Sequence, residues 1–520
     1  MLNMASALEQ AAERFPEADA VITPAFRLTY REWNSRVQAV ACMLRRLQVQ
    51  AGDYVAICSG SGEAPLTMYF AALRAGAVAV LLNARWKEEG IRAALQETGA
   101  RVVLFDAATQ AEVRRAAAML KEPPVLVAAC DAGEKEKNVY SYAEWADGGK
   151  GLSPNGPDLA PGGGTILYTS GTTGRPKGVC RSPAADCTGT LGIILAHGWE
   201  CFERVLAVMP LYHTMGLHTA LSMVLLNGTL VMPETTDAGT LVRCLQEEKI
   251  TALYLVPTLY HDLVNRPDIR EAASAVRKLA YAGAPMSPPL AKQCLEVFQP
   301  AIFVNHYGCT EMLCLSVNRN AGENPLSAGR PGLFSTIRFA VPARDGGSRP
   351  SDALKPGEAG EIIACAASPQ AFSSYFRQPE ATAAAVRGGW YFTGDLGCRD
   401  EAGDLYLLGR VDDMIISGGE NIYPNEVEAI LAEHPAVRDV AVVGGPDARL
   451  GEIVTAFIVP DTAGVTAAEL EEHCLKSARL ARFKRPRRYV FIEQIPKTAS
   501  GKILRSVLRS ALKEEIKGKE

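Results

Sequence analysis

Short apolar runs alternate with longer segments of helical periodicity through most of this chain, and no other feature restricts its fold as strongly. Runs at 54–57 and 78–82 are typical of buried strands, while 30–47 and 64–73 carry apolar residues at helical spacing. Such alternation indicates βαβ units and a mainly parallel sheet. The same rhythm returns between residues 205 and 305, which predicts two similar α/β halves.

The length and the later part of the chain predict further units. At 520 residues the chain exceeds what one hydrophobic core usually supports. After Gly332 the helical signals thin out, and short strands separated by glycines predict a β-rich subdomain that ends near Leu408. A compact module begins beyond Arg410. We therefore predict an α/β fold with a large N-terminal domain, residues 1–410, made of two α/β sheet subdomains plus the β-rich subdomain, and a small C-terminal α+β domain, residues 411–520.

Charge and cysteine content exclude several classes of protein. The formal net charge is −4, with both signs interspersed, so neither nucleic acid nor a membrane is an expected partner. The apolar runs are too short to span a bilayer, and the first residues lack the pattern of a signal peptide. Thirteen cysteines without a C-x-x-C pair argue against zinc and disulfides and predict a cytoplasmic location. A homodimer is compatible with this sequence, which carries no signal for the oligomeric state.

A dense run of glycines and hydroxyl side chains follows one predicted strand, in TILYTSGTTGRPKGV at 165–179. Backbone N–H groups of a glycine-rich turn, hydroxyl donors and a lysine together form a cradle for phosphate oxygens. A Walker loop is excluded because Gly178, rather than serine or threonine, follows Lys177. The alternative is a flexible polar surface loop. The residues predicted to bind phosphate are Thr169, Ser170, Gly171, Thr172, Thr173, Gly174 and Lys177.

Further motifs follow along the chain, and several come directly after predicted strands, where parallel sheets build their ligand clefts. They are MPLYHTMG at 209–216, NHYGCTE at 305–311, WYFTGDLG at 390–397, GRVDDM at 409–414, ISGGENIYP at 416–424 and PKTASGKILR at 496–505. In this order they resemble, together with the run at 165–179, the motifs of the adenylate-forming superfamily of acyl- and aryl-CoA synthetases, luciferases and nonribosomal adenylation domains. Taken alone, His213 is more typical of a buried structural histidine and Lys502 of a solvated surface.

The resemblance implies an ATP-dependent reaction in two steps. A carboxylate attacks the α-phosphorus of MgATP to give an acyl-adenylate and pyrophosphate, and a thiol then displaces AMP. The implied nucleotide contacts are Tyr307 stacked on adenine, Thr310 on the α-phosphate, Glu311 on Mg2+, Asp395 accepting from both ribose hydroxyls, and Arg410 on the ribose or phosphate. These roles fit the chemistry, since adenine presents a π-face and Mg2+ prefers carboxylate and phosphate oxygens.

Further catalytic and coenzyme A roles are implied in the same way. Lys502 bridges the carboxylate and the α-phosphate during adenylation, and His213 orients or screens the carboxylate without acting as a general base. The C-terminal domain is mobile and rotates about a hinge at Asp412 between the two steps. Coenzyme A is the expected thiol, because no carrier domain follows Arg505 in this sequence. Its predicted contacts are Arg85, Gly418, Gly419, Phe483, Arg485 and Arg487.

Within the superfamily, residues 409–420 and 482–486 are most similar to the 4-chlorobenzoate/benzoate-type aryl-CoA ligases, although Leu450 stands where that subgroup can carry a tryptophan. The implied substrate is a benzoate-like aromatic acid, with or without a halogen or hydroxyl substituent, because no arginine or lysine is expected in the pocket. His306 either bonds a polar ring substituent or packs outside the pocket. The predicted acyl pocket comprises His213, Thr214, Met215, Tyr254, Ala282, His306, Leu313 and Cys314.

Other functions remain open from the sequence. A short- or medium-chain acyl-CoA synthetase shares these motifs, as does a ligase that loads a separate carrier protein, which transfer to free coenzyme A would distinguish. A luciferase-like monooxygenase would show oxygen-dependent light emission. A non-enzymatic nucleotide-binding protein is disfavoured because Lys502, Glu311 and Asp395 are all present.

Overall fold

The computed structural model consists of helices and strands that alternate through most of the chain. It describes residues 4–130, 138–148, 163–169, 176–342, 350, 354–461, 465–477, 479–497 and 503–517. The helices are α1 (Met4–Arg14), α2 (Tyr30–Arg46), α3 (Glu63–Arg74), α4 (Glu88–Thr98), α5 (Gln110–Ala118), α6 (Tyr142–Gly148), α7 (Pro183–His197), α8 (Thr214–Leu226), α9 (Ala238–Glu247), α10 (Pro257–Val264), α11 (Ile269–Ala272), α12 (Pro288–Phe298), α13 (Pro379–Ala385), α14 (Pro424–Leu431), α15 (Ala467–Lys476) and α16 (Arg505–Lys517), with short 3-10 helices at Val411–Asp413 and Arg482–Lys484.

Most of the strands are short, as the sequence pattern predicts, and β21, β25 and β26 are the long ones among the described strands. In the first part of the chain they are β1 (Asp19–Ile22), β2 (Arg27–Thr29), β3 (Tyr54–Cys58), β4 (Val78–Leu81), β5 (Val102–Phe105), β6 (Val125–Ala128), β7 (Val139–Ser141), β8 (Gly164–Thr169), β9 (Lys177–Arg181), β10 (Arg204–Leu206), β11 (Thr229–Val231), β12 (Ala252–Leu255), β13 (Lys278–Tyr281) and β14 (Ile302–Tyr307). The later strands are β15 (Ser316–Asn318), β16 (Ser327–Pro331), β17 (Ile337–Ala340), β18 (Gly360–Cys365), β19 (Ser374–Tyr375), β20 (Val386–Arg387), β21 (Trp390–Arg399), β22 (Leu405–Arg410), β23 (Ile415–Ser417), β24 (Glu420–Ile422), β25 (Val437–Asp447), β26 (Gly451–Pro460) and β27 (Arg488–Phe491).

The first sheet has eight strands in the order β19-β9-β8-β4-β3-β5-β6-β7. Neighbours from β8 to β7 are parallel, whereas β9 is antiparallel to β8 and β19 is antiparallel to β9. Apolar side chains cover both faces, with Trp33 and Phe70 in the cluster on one side and Ile91 and Phe105 in the cluster on the other. This double burial explains why the strands are apolar throughout rather than alternating.

The second sheet has fourteen strands, and its centre is parallel. The order is β17-β18-β21-β22-β16-β15-β14-β13-β12-β10-β11-β1-β2, with β20 beside β21. Strands β10 to β14 pair in parallel, and from β15 onward the pairing is antiparallel. The predicted β-rich part is therefore an antiparallel extension of this sheet. The predicted mixed α/β fold, with a large N-terminal and a smaller C-terminal part, is confirmed.

The C-terminal part is a five-stranded sheet in the order β24-β23-β26-β25, with β27 beside β26. One face packs on α14 and α15 through a cluster that contains Val427 and Leu470. The other face packs on α16 through Leu508 and Leu512. Each face of this small sheet is thus covered by helices, which gives the C-terminal part a core of its own.

The junction between the two parts begins where β22 ends at Arg410 and the 3-10 helix Val411–Asp413 follows. Arg509 of α16 donates to the carbonyl of Asp412 at 3.3 Å and to Asp413 Oδ1 at 2.8 Å. The domain boundary after residue 410 and the hinge at Asp412 stay predictions.

Among the described residues, no helix is long and apolar enough to cross a bilayer.

Candidate active site

The predicted motifs gather at the carboxyl ends of neighbouring parallel strands. His213 follows β10, Ala282 directly follows β13, and Tyr307 ends β14. Since β10, β12, β13 and β14 pair in parallel, these positions share one edge of the second sheet. In open α/β sheets the carboxyl edge is where ligand clefts form.

The two ends of the predicted phosphate loop belong to a β-hairpin of the first sheet. Thr169, the last residue of β8, and Lys177, the first residue of β9, are direct cross-strand partners. The Nζ of Lys177 lies 5.0 Å from the ring centroid of Tyr375, a distance at which the cation is attracted by the ring. The hairpin therefore fixes where the loop starts and ends. Ser170, Gly171, Thr172, Thr173 and Gly174 lie outside the described residues.

A tight turn after β14 carries Thr310 and Glu311. The backbone N–H of Leu313 donates to the carbonyl of Cys309 at 2.7 Å, and that of Leu315 donates to Tyr307 at 2.9 Å. A Cβ on Gly308 would lie 1.5 Å from the carbonyl oxygen of Leu313, so no other residue fits without opening the turn. The turn thus holds Thr310 and Glu311 in one fixed orientation at the sheet edge.

The carboxylate of Glu311 is buried, and a hydrogen bond from one tyrosine orients it. The hydroxyl of Tyr375 donates to Glu311 Oε1 at 2.7 Å, and the ring of the same tyrosine lies under Lys177. The structure shows no hydrogen bond from another described residue to the second carboxylate oxygen, so this oxygen could bind a metal ion. A single carboxylate beside a phosphate-binding loop is the usual protein contribution to a Mg2+ site. The donor set present therefore fits this metal.

Asp395 is the centre of a second polar group. Its Oδ2 accepts a hydrogen bond from the hydroxyl of Tyr307 at 2.6 Å, and its Oδ1 accepts one from Arg410 at 2.6 Å. Asp395 and Arg410 are cross-strand partners on β21 and β22. Burial and, second, the Asp395 charge raise the pKa of Tyr307 well above its usual value, so the phenol stays a neutral donor. Both carboxylate oxygens that were predicted to bind ribose hydroxyls hold protein partners in this structure.

Three predicted acyl-pocket residues lie at the start of α8. His213 precedes the helix, while Thr214 and Met215 form its first turn. The ring of His213 is half-buried and lies 4.7 Å from the ring of Tyr212. A small cavity beside this turn of α8 is lined by Gly216 and Ala220 of the helix, by Leu206 and Met209, and by Tyr254, among others. Tyr254 is the one predicted acyl-pocket residue in the described lining of this cavity.

His306 lies in a buried group of rings. Its Nδ1 is 3.1 Å from His197 Nε2 and 3.3 Å from the hydroxyl of Tyr254, and its Nε2 is 3.4 Å from the carbonyl oxygen of Leu313. A carbonyl only accepts, so Nε2 carries the proton and Nδ1 is the acceptor. Burial lowers the pKa of His306 to about 4 and that of His197 well below its usual value. Both rings are neutral near pH 7.

We expect acid to destabilise the fold through His306. The folded chain protonates this ring near pH 4, whereas the unfolded chain does so near pH 6.5. The unfolded state binds more protons between these values, so stability falls as the pH drops from about 6.5 to about 4. His306→Asn should remove about 2 kcal/mol of the stability difference between pH 7 and pH 5 in urea titrations. His261→Asn, at a side chain that is 64% exposed, should leave that difference unchanged, and an unchanged difference for His306→Asn would contradict the prediction.

The predicted coenzyme A contacts lie mainly on the C-terminal part. Gly418 and Gly419 form the exposed turn between β23 and β24 with φ of +60° and +90°, a region that favours glycine. The side chain of Leu450 packs against this turn, 3.2 Å from where a Cβ on Gly418 would lie. Phe483 is 44% exposed, and Arg485 is paired with Glu471 at 2.9 Å. Arg487 and Arg85 are exposed, and Lys502 lies outside the described residues.

The buried residues that contact the predicted site residues from the protein interior were not identified from the sequence. Arg181 and Asp186 form a fully buried pair, Tyr375 binds Glu311, and Gln370 is buried beside them. One signal was present, because Asp186 interrupts the long apolar sequence of α7 and Arg181 follows Lys177 and Val179 on one face of β9. A charged residue at a core-facing position indicates either a partner or a function.

The chain matches the model of the AMP-binding enzyme family over residues 8–376 and that of the AMP-binding enzyme C-terminal domain over residues 426–502. It is 34% identical over 507 residues to a feruloyl-CoA synthase from Amycolatopsis sp, with 96% of each chain covered. It is 33% identical over 512 residues to a 4-chlorobenzoate–CoA ligase from Arthrobacter sp, with 96% of this chain and 94% of that chain covered. The solved structure of ATP-bound MatB from Rhodopseudomonas palustris is similar with a TM-score of 0.85 at 27% identity, over 98% of this chain and 99% of that chain.

Proposed function

This chain belongs to the AMP-binding enzyme family, and we propose that its substrate is an aromatic carboxylic acid. The superfamily resemblance of its motifs is confirmed, and so is the reaction class. The chain is an AMP-forming acid–thiol ligase that uses ATP, Mg2+ and coenzyme A. Both named relatives carry an aromatic acyl group in their names, and their similar identities to this chain do not choose between the two acids.

In the proposed first half-reaction, a carboxylate oxygen of the acid attacks the α-phosphorus of ATP. The new O–P bond forms in line with the bond that breaks, and pyrophosphate leaves with its electron pair. Thr310 binds the α-phosphate. The loop that ends at Lys177 binds the β- and γ-phosphates, and the lysine offsets their negative charge. Bound through Glu311, Mg2+ would disperse the charge on the phosphate oxygens. Lys502 adds a second cation between the carboxylate and the α-phosphate.

In the second half-reaction, the thiolate of coenzyme A attacks the acyl carbon and AMP leaves. The proposal assigns this step to a second position of residues 411–520, reached by rotation at Asp412. Asp412 is exposed within the short 3-10 helix between β22 and β23. Its neighbour Asp413 pairs with Arg509 at 2.8 Å. Rotation at Asp412 would bring the turn at Gly418 and Gly419 to the site and withdraw Lys502.

The observation that carries the aromatic assignment is a flat pair of rings among the predicted pocket residues. Tyr254 and His306 are nearly parallel, with 14° between the ring planes and 5.9 Å between centroids. Both are buried, and His306 is neutral near pH 7. Of the two rings, Tyr254 lines the cavity, and no lysine or arginine is among the described residues of that lining. An uncharged aromatic lining suits an aryl group, whereas a second carboxylate on the substrate would need a cation there.

A panel of acids tests this proposal. The protein with ATP and Mg2+ is given benzoate, 4-chlorobenzoate, 4-hydroxybenzoate, ferulate, octanoate or succinate. Pyrophosphate release, which reports adenylation, and AMP formation are measured with and without coenzyme A. We expect the aromatic acids to give the highest kcat/KM and AMP release to require coenzyme A. A preference for octanoate would contradict the aromatic assignment and favour an acyl-chain ligase. Adenylation without transfer to free coenzyme A would favour a carrier protein as the acceptor.

A further inference from the structure

Behind the candidate site lies a buried polar cluster that the reaction itself does not use. The side chains of Arg181 and Asp186 are 0% and 1% exposed, and Arg181 Nε donates to Asp186 Oδ1 at 2.6 Å. The hydroxyl of Thr165 donates to Asp186 Oδ2 at 2.6 Å and lies 3.0 Å from the hydroxyl of Tyr69. Such a fully buried ion pair gives little net stability over apolar residues of the same size. Stability alone therefore does not account for this pair.

The remaining donors of Arg181 point at the backbone of the catalytic turn. Its Nη1 donates to the carbonyl of Thr310 at 3.0 Å and lies 3.5 Å from that of Glu311, while its Nη2 donates to the carbonyl of Gln370 at 3.0 Å. Gln370 is itself fully buried and donates through Nε2 to the carbonyl of Cys314 at 2.8 Å. The guanidinium of Arg181 therefore contacts the start of the turn directly, at Thr310, and its end indirectly, through Gln370 and Cys314.

The strand that carries Arg181 also carries the lysine of the phosphate loop. Successive side chains of a strand point to opposite faces, so Lys177 and Arg181 lie on the same face of β9. Tyr375 contacts Lys177 through its ring and Glu311 through its hydroxyl. The short strand β9 thus carries Lys177 itself and, through Arg181, contacts the turn that carries Glu311.

We propose that Arg181, held by Asp186, is the positioning residue that sets Thr310 and Glu311 relative to Lys177. This inference rests on the proposed function, because it assigns Arg181 to the adenylation step alone. Arginine is suited to the role, since its planar group places several donors in fixed directions. Asp186 occupies Nε and so orients the two terminal nitrogens toward the carbonyls. Lysine would keep the charge but lacks this geometry.

The test separates the two half-reactions of Arg181→Lys. We expect acyl-adenylate formation to fall about 10- to 100-fold, because small displacements of catalytic groups have effects of this size. The Mg2+ concentration for half-maximal rate should rise, because the carboxylate of Glu311 is displaced. Thioester formation from preformed acyl-adenylate and coenzyme A should be unchanged, since no pyrophosphate leaves in that step. A merely structural role would lower both half-reactions together, and that result would overturn the proposal.

Two further variants control for effects of Arg181→Lys that do not come from its contact with the turn. Arg204→Lys changes an arginine at the opposite, amino-terminal end of β10, where it donates to the carbonyl of Glu248 at 2.6 Å, and should leave the Mg2+ dependence unchanged. If Arg181→Lys does not fold, the double variant Arg181→Met with Asp186→Leu removes both buried charges and should show the same selective loss. Normal adenylation by either folded Arg181 variant would overturn the inference. If the unaltered protein activates none of the acids, the proposed function fails instead.

Discussion

Replacement of Lys502 by alanine should lower the rate of acyl-adenylate formation by roughly 10²–10³-fold, the usual effect of removing one preorganised group that stabilises transition-state charge. Thioester formation from preformed acyl-adenylate should be retained. The reason is that negative charge accumulates between the carboxylate and the α-phosphorus only while the O–P bond forms. Single-turnover measurements of pyrophosphate release and of coenzyme A acylation report the two steps separately.

The control for Lys502 lies in the same segment. Lys497 is paired with Asp439 at 2.6 Å, so Lys497→Ala removes a cation of the same kind that is engaged elsewhere. We expect both half-reactions of this variant to proceed at the unaltered rate. An equal loss of both steps in Lys502→Ala would contradict the two-position scheme, since it would mean that Lys502 stays at the site throughout.

Glu311→Gln should lower adenylation by roughly 10²-fold, because the neutral amide is a poor ligand for Mg2+ and the charge of the triphosphate is then less well dispersed. The amide keeps the size of the side chain and can still accept from the hydroxyl of Tyr375. The fold of the turn should therefore persist. A Mg2+ titration of the adenylation rate is the direct measurement, and we expect the half-maximal concentration to rise.

The matched control for Glu311 is another buried glutamate that accepts from a tyrosine. Glu63 Oε1 accepts from the hydroxyl of Tyr142 at 2.6 Å and is 6% exposed, yet it belongs to none of the motifs. Glu63→Gln should leave the Mg2+ titration unchanged, whatever it does to stability. If Glu311→Gln also left that titration unchanged, Glu311 could not be the metal ligand.

The sequence was sufficient for the elements that depend on local pattern. Tyr307 ends an apolar strand, and Glu311 follows it after Gly308, where an added Cβ would collide with Leu313. These signals lie within a few residues of one another. Thr169 and Lys177 likewise flank a run whose composition is itself the signal. Periodicity and turn chemistry act over short distances, so they can be read directly from the chain.

The contacts that complete the site depend on pairing between distant segments. Tyr375 reaches Glu311 because the two-residue strand β19 pairs with β9, and a strand this short leaves no readable period. Arg181 finds the carbonyl of Gln370 across 189 residues of sequence. The continuation of the second sheet through β15 and β16 also depends on pairing between segments that are distant in the sequence. Strand order is set by tertiary packing, which one sequence does not reveal.

The ion pair of Asp395 and Arg410 lies where the N-terminal part of the chain meets the junction. Arg410 is the last residue of β22, directly before the 3-10 helix at the junction, and its guanidinium is bound to Asp395. A sugar diol that bound Asp395 as predicted would compete with Arg410 for Oδ1 and with Tyr307 for Oδ2. Nucleoside binding at Asp395 would therefore alter the ion pair of Arg410, the residue directly before the 3-10 helix of the junction.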